Sequence, residues 1–301
     1  GPSRMTQVQR VRVSEPESGQ KLVQFLSRRL QGQIPRSALM RWIRTGQVRV
    51  DNSRSKPFDR VFAGQEVRIP PHQSETIEPI APFYDANPFI LSTVFEDSRL
   101  LVLAKPPGLA TQPGSGLSDS VHDRLAARFE SQAWRPSLVH RLDKETSGLL
   151  LVAKTYAYLQ HLLGLWKKGK VTKLYLAWVS GTGLWTDWFT LEDTIQAVEP
   201  KGRRSVKSLQ ARSRVKSIYE QGACSLVAVR LITGRKHQIR IQLAARGYPV
   251  LGDQKYGSHA SGQGLLLHAC SLRFDGLSFE LLPPWKGRFQ VSAERLKHLQ
   301  D

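Results

Sequence analysis

Between Pro70 and Pro88 the chain runs through prolines and scattered acidic residues with little apolar periodicity, so the stretch reads as a linker. That break constrains everything else: the 301 residues have to fold as one small and one large unit joined by a linker. The expected division is a tag and flexible amino terminus over 1–15, a small domain over 16–75, the linker over 76–90 and a large domain over 91–301. Gly1-Pro2-Ser3 ahead of Met5 reads as a cloning remnant, and no charged-then-apolar leader follows it.

In the small unit Leu22, Phe25, Leu26 and Leu30 recur at helical spacing, and after Ile34-Pro35 so do Leu39, Trp42 and Ile43. Two short helices are expected, the second ended by Gly46, followed by strands at Val48-Arg49-Val50 and Glu66-Val67-Arg68-Ile69 around an Asp51-Asn52 turn. From Lys21 to Arg60 ten Lys or Arg residues face only two Asp residues. The whole chain carries 44 Lys and Arg against 25 Asp and Glu, a formal charge of +19, which calls for a polyanionic partner, nucleic acid before all. A basic face that is merely solvated is the plainer alternative. A membrane surface is disfavoured, because no apolar run approaches the roughly 18 residues a spanning helix needs.

Beyond the break, strands are expected at Leu100 to Ala104, Leu149 to Ala153, Leu174 to Val179, Leu209 to Val215, Leu226 to Leu231 and Leu265 to Phe274. Helices are expected around Tyr156 to Lys167 and His237 to Ala245, the latter stopped by Gly247. Strands outnumber helices without strict alternation, so the large domain is α+β with a mixed, mainly antiparallel sheet.

The segment His140-Arg141-Leu142-Asp143-Lys144-Glu145-Thr146-Ser147-Gly148 crowds polar groups into a loop held by the apolar strand after it. A loop on a rigid scaffold is where a catalytic side chain combines access with precision. From spacing alone the better fit is a tight turn in which Asp143 or Thr146 hydrogen-bonds nearby amides and the flanking charges are solvated. Cys224 and Cys270 stand far apart, without the spacing of a disulfide framework, a zinc site or a zinc-dependent nucleobase deaminase. A reducing cytoplasm is the compartment expected.

His140 to Gly148 resembles the H-R-L-D-x-x-T-S-G signature of the RluA/RluC/RluD family of RNA pseudouridine synthases. Other segments resemble further elements of that family, in its order: Ala104-Lys105-Pro106-Pro107-Gly108, Lys173-Leu174-Tyr175, Thr233 to Arg240 (T-G-R-x-H-Q-I-R), Tyr248 to Asp253, Tyr256-Gly257 and Leu267-His268-Ala269. The amino-terminal unit is similar to the S4 RNA-binding domain, which that family carries at the same end. Gln242 departs from the pattern, standing where the family more often has His.

The resemblance implies an α+β pseudouridine synthase domain that breaks the N1 glycosidic bond of a uridine, turns the uracil and rejoins it through C5. Nothing is added or lost, so no cofactor and no metal are expected. Asp143 matches the catalytic carboxylate; whether it attacks a carbon or abstracts a sugar proton stays open. Arg240, with Arg235 as second choice, is implied as the cation that keeps that carboxylate ionised. Tyr175, otherwise an ordinary core aromatic, is implied as a ring stacking on uracil with a hydroxyl that assists proton removal at C5, supported by Lys173. His140 is expected to be a structural hydrogen-bonding group. Arg141 is implied either to fill the gap left by the flipped base or to hold phosphate. Arg36, Arg41, Arg44 and Arg49 are candidates for phosphate contacts through the S4-like unit. The segment from Trp185 to Gly202 is expected to be a loop that shapes RNA choice. The partner implied is large-subunit ribosomal RNA or its assembly intermediate, bound by a monomer; a non-catalytic RNA-binding assembly factor is the alternative from another class.

Overall fold

The computed structural model describes residues 3–75, 91–114, 119–198, 206–257, 260–297 and 299. The linker expected over 76–90 lies outside the described residues. Its amino-terminal part contains β1 (Ser3–Met5), β2 (Gln9–Arg12), α1 (Leu22–Arg29), α2 (Arg36–Arg44), β3 (Arg49–Val50), β4 (Glu66–Ile69) and β5 (Gln73–Glu75). Leu22, Val23, Phe25 and Leu26 of α1 and Leu39, Trp42 and Ile43 of α2 recur at three- and four-residue intervals, so each helix buries one stripe. Both stripes meet Val48, Val50, Val67 and Ile69 of the small antiparallel sheet, ordered β2-β4-β3.

The expectation of a flexible lead over 1–15 is corrected here. Gln9–Arg12 pairs along β4, from Gln9 opposite Ile69 to Arg12 opposite Glu66, and Ser3–Met5 pairs with β5. Val11 and Val13 alternate with Arg10 and Arg12, and Val13 is buried in the module's core. That alternation is too short to stand out in sequence until β4 supplies its partner. The module also touches the large domain: Arg28 lies 4.2 Å over the Trp134 ring and donates to the Arg135 carbonyl at 3.1 Å and to Ser137 Oγ at 2.8 Å.

The large part contains β6 (Ser92–Glu96), β7 (Leu100–Lys105), α3 (Val121–Arg128), β8 (Ser137–Leu138), β9 (Ser147–Ala153), α4 (Tyr156–Lys167), β10 (Thr172–Ser180), β11 (Phe189–Val198), β12 (Val206–Gln221), β13 (Cys224–Leu231), α5 (Gln238–Ala245), β14 (Leu267–Phe274), β15 (Leu277–Glu280) and α6 (Ala293–Lys297). One sheet runs β11-β12-β13-β10-β14-β9-β7-β6, with β8 added on β9 and β15 on β14. Its pairings are antiparallel except β14 with β9, so the domain is α+β with a mixed, mainly antiparallel sheet, as expected. All of β9 is buried. Gly148 makes the parallel contact possible: at φ +131° a Cβ there would fall 2.4 Å from the Ala269 carbonyl oxygen and 2.6 Å from its nitrogen.

Successive residues of the central strands serve opposite faces. On one face Ala177, Val179, Val227 and Val229 pack against Ile239 and Leu243 of α5. On the other Leu174, Leu176, Trp178, Leu226 and Ala228 pack against Trp285, Phe289 and Leu296 from the carboxy-terminal segment. The loop expected over Trp185 to Gly202 is corrected as well: Phe189–Val198 is a strand aligned with β12 from Phe189 opposite Val215 to Val198 opposite Val206, and 199–205 lie outside the described residues. The inward positions Leu191, Asp193 and Ile195 place a carboxylate mid-pattern, which hides the alternation. Asp193 is tolerated there because Arg246 Nη1 and Gln242 Nε2 donate to it at 2.7 and 3.0 Å.

Candidate active site

The loop 139–146 leads into β9 at the middle of the sheet, beside β10 and the amino-terminal end of α5, and a cleft of about 320 Å³ opens between them. Six of the residues singled out by sequence line it together: Arg141, Asp143, Lys173, Tyr175, Arg235 and Arg240. Val139, Leu142, Leu231, Ile239 and Leu267 make the rest of its wall largely apolar. Arg36, Arg41, Arg44 and Arg49 belong to the amino-terminal module and do not line this cleft.

The segment Lys105 to Thr111 fastens the loop from behind. Thr111 Oγ1 donates to the Leu142 carbonyl at 2.6 Å and accepts from the Leu142 amide at 3.1 Å. Lys105 is buried and its ammonium donates to the carbonyls of Pro106, Leu109 and Lys144 at 2.9, 2.7 and 2.9 Å, while the Gly108 amide also donates to Lys144. Burial pushes the Lys105 ammonium down to about 8, and the charges of Glu145 and Asp143 oppose that fall. Thr146 donates its amide to the Asp143 carbonyl at 3.0 Å, closing the turn under the carboxylate.

His140 has the structural role expected of it. Its Nε2 accepts the Leu151 amide at 3.0 Å, which leaves the proton on Nδ1, and its ring stacks on Trp166 at 4.4 Å. Burial, helped by the charge on Lys173, drives it down to about 3. Lys173 in turn lies 5.1 Å over the Trp166 ring. Trp166 was not foreseen, since it reads as one more apolar residue on a helix.

Among the described residues Asp143 is the one carboxylate lining the cleft, and its side-chain oxygens accept no hydrogen bond. The nearest basic group is His237 Nε2, 3.8 Å from Oδ1. Burial lowers the His237 imidazole; Asp143 opposes this, and the charges of Arg240, Lys255 and Lys236 add to it. His237 sits at φ +54° in the left-handed region before α5, with its Nδ1 2.9 Å from the Tyr256 hydroxyl. A residue held in the left-handed backbone region and facing the cleft carboxylate is a feature sequence reasoning passed over, although it lies within the Thr233–Arg240 segment.

Arg240, expected as the cation opposing Asp143, lines the same cleft but is paired elsewhere. Its Nε and Nη2 donate to Asp253 Oδ2 and Oδ1 at 2.9 and 2.8 Å, and no ion pair within 4.0 Å joins it to Asp143. Asp253 wins because it is fully buried and offers both oxygens to the planar fork. Burial alone would raise the Asp253 carboxyl, but Arg240 and the amides of Tyr256 and Lys255 outweigh it and hold it low. The charge of Arg240 still bears on Asp143 through space. Arg235 is taken up differently, donating Nε to the Gln210 carbonyl at 2.9 Å.

Burial first, then the charge on Asp143, raises the Tyr175 phenol above its ordinary value, so the ring enters the cleft with its hydroxyl protonated. Arg141 is exposed at the rim and makes no hydrogen bond among the described residues. Gln242 is buried and knits α5 to the β11–β12 hairpin, accepting from Ser213 Oγ at 2.7 Å and donating to the Ala211 carbonyl at 3.2 Å. A neutral amide with two acceptors and two donors suits that dry site.

Residues 99–245 match the RNA pseudouridylate synthase family. The ribosomal large subunit pseudouridine synthase C of Vibrio parahaemolyticus is 34% identical over 290 residues, covering 89% of each chain. The protein of the same name from Yersinia pestis is 36% identical over 290 residues, covering 89% of this chain and 88% of its own. Among solved structures, human RNA pseudouridylate synthase domain containing 1 superposes with a TM-score of 0.53 at 25% identity, over 69% of this chain and 94% of its own.

Proposed function

The chain belongs to the RNA pseudouridylate synthase family and is a pseudouridine synthase, an isomerase; from that premise we propose that it converts specific uridines of large-subunit ribosomal RNA, or of its assembly intermediate, with Asp143 as the catalytic carboxylate. The observation that carries the assignment is the state of Asp143: the cleft's one carboxylate, on a loop fastened by Lys105 and Thr111, yet with no hydrogen bond to its side-chain oxygens among the described residues. A group so held keeps its lone pairs for a substrate.

In this reading the target uridine leaves its stack and enters the cleft, where Tyr175 presents a ring face to uracil. A phenol that stays protonated is a poor acceptor for the C5 proton, so stacking rather than proton removal is the role read for Tyr175. Arg240, held by Asp253, supplies a fixed positive charge beside the cleft without sequestering Asp143. Lys173 and Arg235 border the base or its phosphate, and exposed Arg141 either fills the gap in the stem or holds phosphate. The isomerisation conserves every atom, so no cofactor enters the proposal.

The residues over 16–75, extended by β2, are read as an S4-like RNA-binding module, supported by two amphipathic helices on a small sheet and by exposed arginines on α2. The preference for large-subunit RNA, in the manner of the RluC branch rather than RluD, rests on the relatives named above. A monomer in the cytoplasm completes the proposal; both cysteines are free, and among the described residues no helix is long and apolar enough to cross a membrane.

The test is chemical mapping of pseudouridines in ribosomal RNA lacking the modification, treated with the wild type or with Asp143→Ala. Discrete uridines converted by the wild type alone are expected. Tight binding of that RNA without conversion would favour the assembly-factor reading.

A further inference from the structure

On β12 and β13, Arg214 stands directly opposite Arg230, and Leu174, the next neighbour of Arg230 on β10, is opposite Ser271. Like charges across a strand pair repel, so such a pair weakens a sheet unless something compensates it. Arg273 joins them: it lines the same small hollow as Arg230, with Thr172, Ser271 and Glu280. Burial lowers the Arg230 guanidinium, and Arg214 and Arg273 lower it further, with no carboxylate acting in the other direction. The acidic neighbour across the hairpin, Glu192, is already engaged with Arg212 at 2.8 Å.

Two features hold these cations in place instead of letting them splay into solvent. Trp188 lies beneath both Arg214, at 5.8 Å, and Arg230, at 4.6 Å. Arg230 Nη2 donates to the Leu299 carbonyl at 3.0 Å. The site is on the face turned away from the cleft: Lys173, Tyr175 and Leu231 line the cleft, whereas their chain neighbours Thr172, Leu174 and Arg230 line the hollow.

We propose that this far face is a second RNA-contacting site, where Arg214, Arg230 and Arg273 bind phosphodiester groups of the same RNA whose target nucleotide occupies the cleft. Guanidinium forks match phosphate oxygens two at a time, and Trp188 holds Arg214 and Arg230 side by side. An RNA backbone suits the arrangement better than a single small anion, because the arginines extend along a row of strands rather than closing around one point. A phosphate chain passing over them relieves the repulsion between Arg214 and Arg230, which Glu280, although it lines the hollow, does not offset at Arg230. The inference rests on the RNA-substrate reading of the cleft and adds that the RNA wraps past one edge of the sheet.

The experiment uses the full chain carrying Arg214→Gln and Arg273→Gln together; Arg230 is kept because it also anchors Leu299. Binding is measured against salt for a long ribosomal RNA transcript and for a short stem-loop enclosing only the target uridine. For the long transcript the slope of log affinity on log salt should fall by about one per arginine and affinity by about tenfold. The stem-loop should bind as it does to the wild type. An unchanged slope and affinity on the long transcript overturns the proposal, and so does an equal loss on the stem-loop, which would place the effect at the cleft. Arg214→Lys with Arg273→Lys, which keeps the charges, should retain the wild-type slope; if the Gln pair does not fold, Arg273→Gln alone is read by the same slope. A wild type that shows the two-site salt behaviour but forms no pseudouridine would sink the catalytic reading and leave this one standing.

Discussion

In the cleft, Arg240 gives two N–H groups to a buried carboxylate and holds one pose, whereas on α2 Arg36, Arg41 and Arg44 stand exposed with no side-chain partner among the described residues. The two regions use the same residue type for different physics. A fixed cation in a dry, apolar-walled cleft sets the field at one atom position. Exposed cations on a helix add affinity by releasing counterions and tolerate considerable freedom of pose. Arg49, grouped with the α2 arginines by sequence, behaves like neither: its Nε and Nη1 donate to the Gly46 and Asn52 carbonyls, so it closes a turn. Counting arginines therefore locates a polyanion binder, and only their partners reveal which ones are positioned for chemistry.

The sharpest way to separate the two regions is to remove charge from each in turn. Asp143→Asn changes one atom in the cleft and should lower single-turnover pseudouridine formation more than about a thousandfold, with RNA affinity close to the wild type. Parallel loss of binding and product would break the division of labour. Next in size is Arg240→Met, which leaves Asp253 buried without its partner; removing one member of a buried pair costs about 3–5 kcal/mol. Thermal unfolding should show that loss, and Arg240→Met combined with Asp253→Leu should recover most of it. Failure of the second change to rescue would mean that Arg240 stabilises the fold through contacts other than the fork.

Much of this was legible before any coordinates, for reasons that can be assigned. Strands such as β9 and β10 are apolar runs bounded by turn residues, α4 begins at the Thr155 cap and α5 stops before Gly247, so their positions follow from local pattern. The convergence of Asp143, Tyr175 and Arg240 came from resemblance, since nothing in their spacing brings three distant segments together. What escaped reading depended on long-range partners. β11 carries Asp193 on its buried side because Arg246 reaches it from α5, and β2 is a strand only because β4 lies alongside. The choice of Arg240 for Asp253 over Asp143 is of the same kind, decided by which carboxylate is dry and presents both oxygens.

Acid should test whether the catalytic sheet fails before the module. His268 is buried in the sheet, its Nδ1 accepting the Ser147 hydroxyl at 2.8 Å and its Nε2 donating to the Leu281 carbonyl at 2.8 Å, and burial drives it down from 6.5 to about 4. The unfolded chain takes up this proton first as pH falls, so the stability is complete above 6.5 and drains away between 6.5 and about 4. For His268 alone the loss is on the order of 3 kcal/mol, and His140 adds to it in the same direction. Hydrogen exchange near pH 5 should therefore open the amides of β9 and β14 ahead of those in α1 and α2. Earlier opening of the module would show that its core, not the sheet's, limits acid stability.

The smallest effect on the fold, and the one that most directly sharpens the contrast, belongs to α2. Arg36→Gln, Arg41→Gln and Arg44→Gln each remove an exposed charge that has no side-chain partner among the described residues, so each should shift stability by no more than about 0.5 kcal/mol. Their combined effect on RNA should instead be large and sequence-independent, with the salt slope falling by about one per arginine that meets a phosphate. At saturating RNA the triple variant should form pseudouridine at the wild-type rate, because the cleft is untouched. A slower saturated rate would mean that the module does more than hold RNA: it would have to orient the target against the cleft, and the Arg28 contact with Trp134 would then be the joint through which it does so.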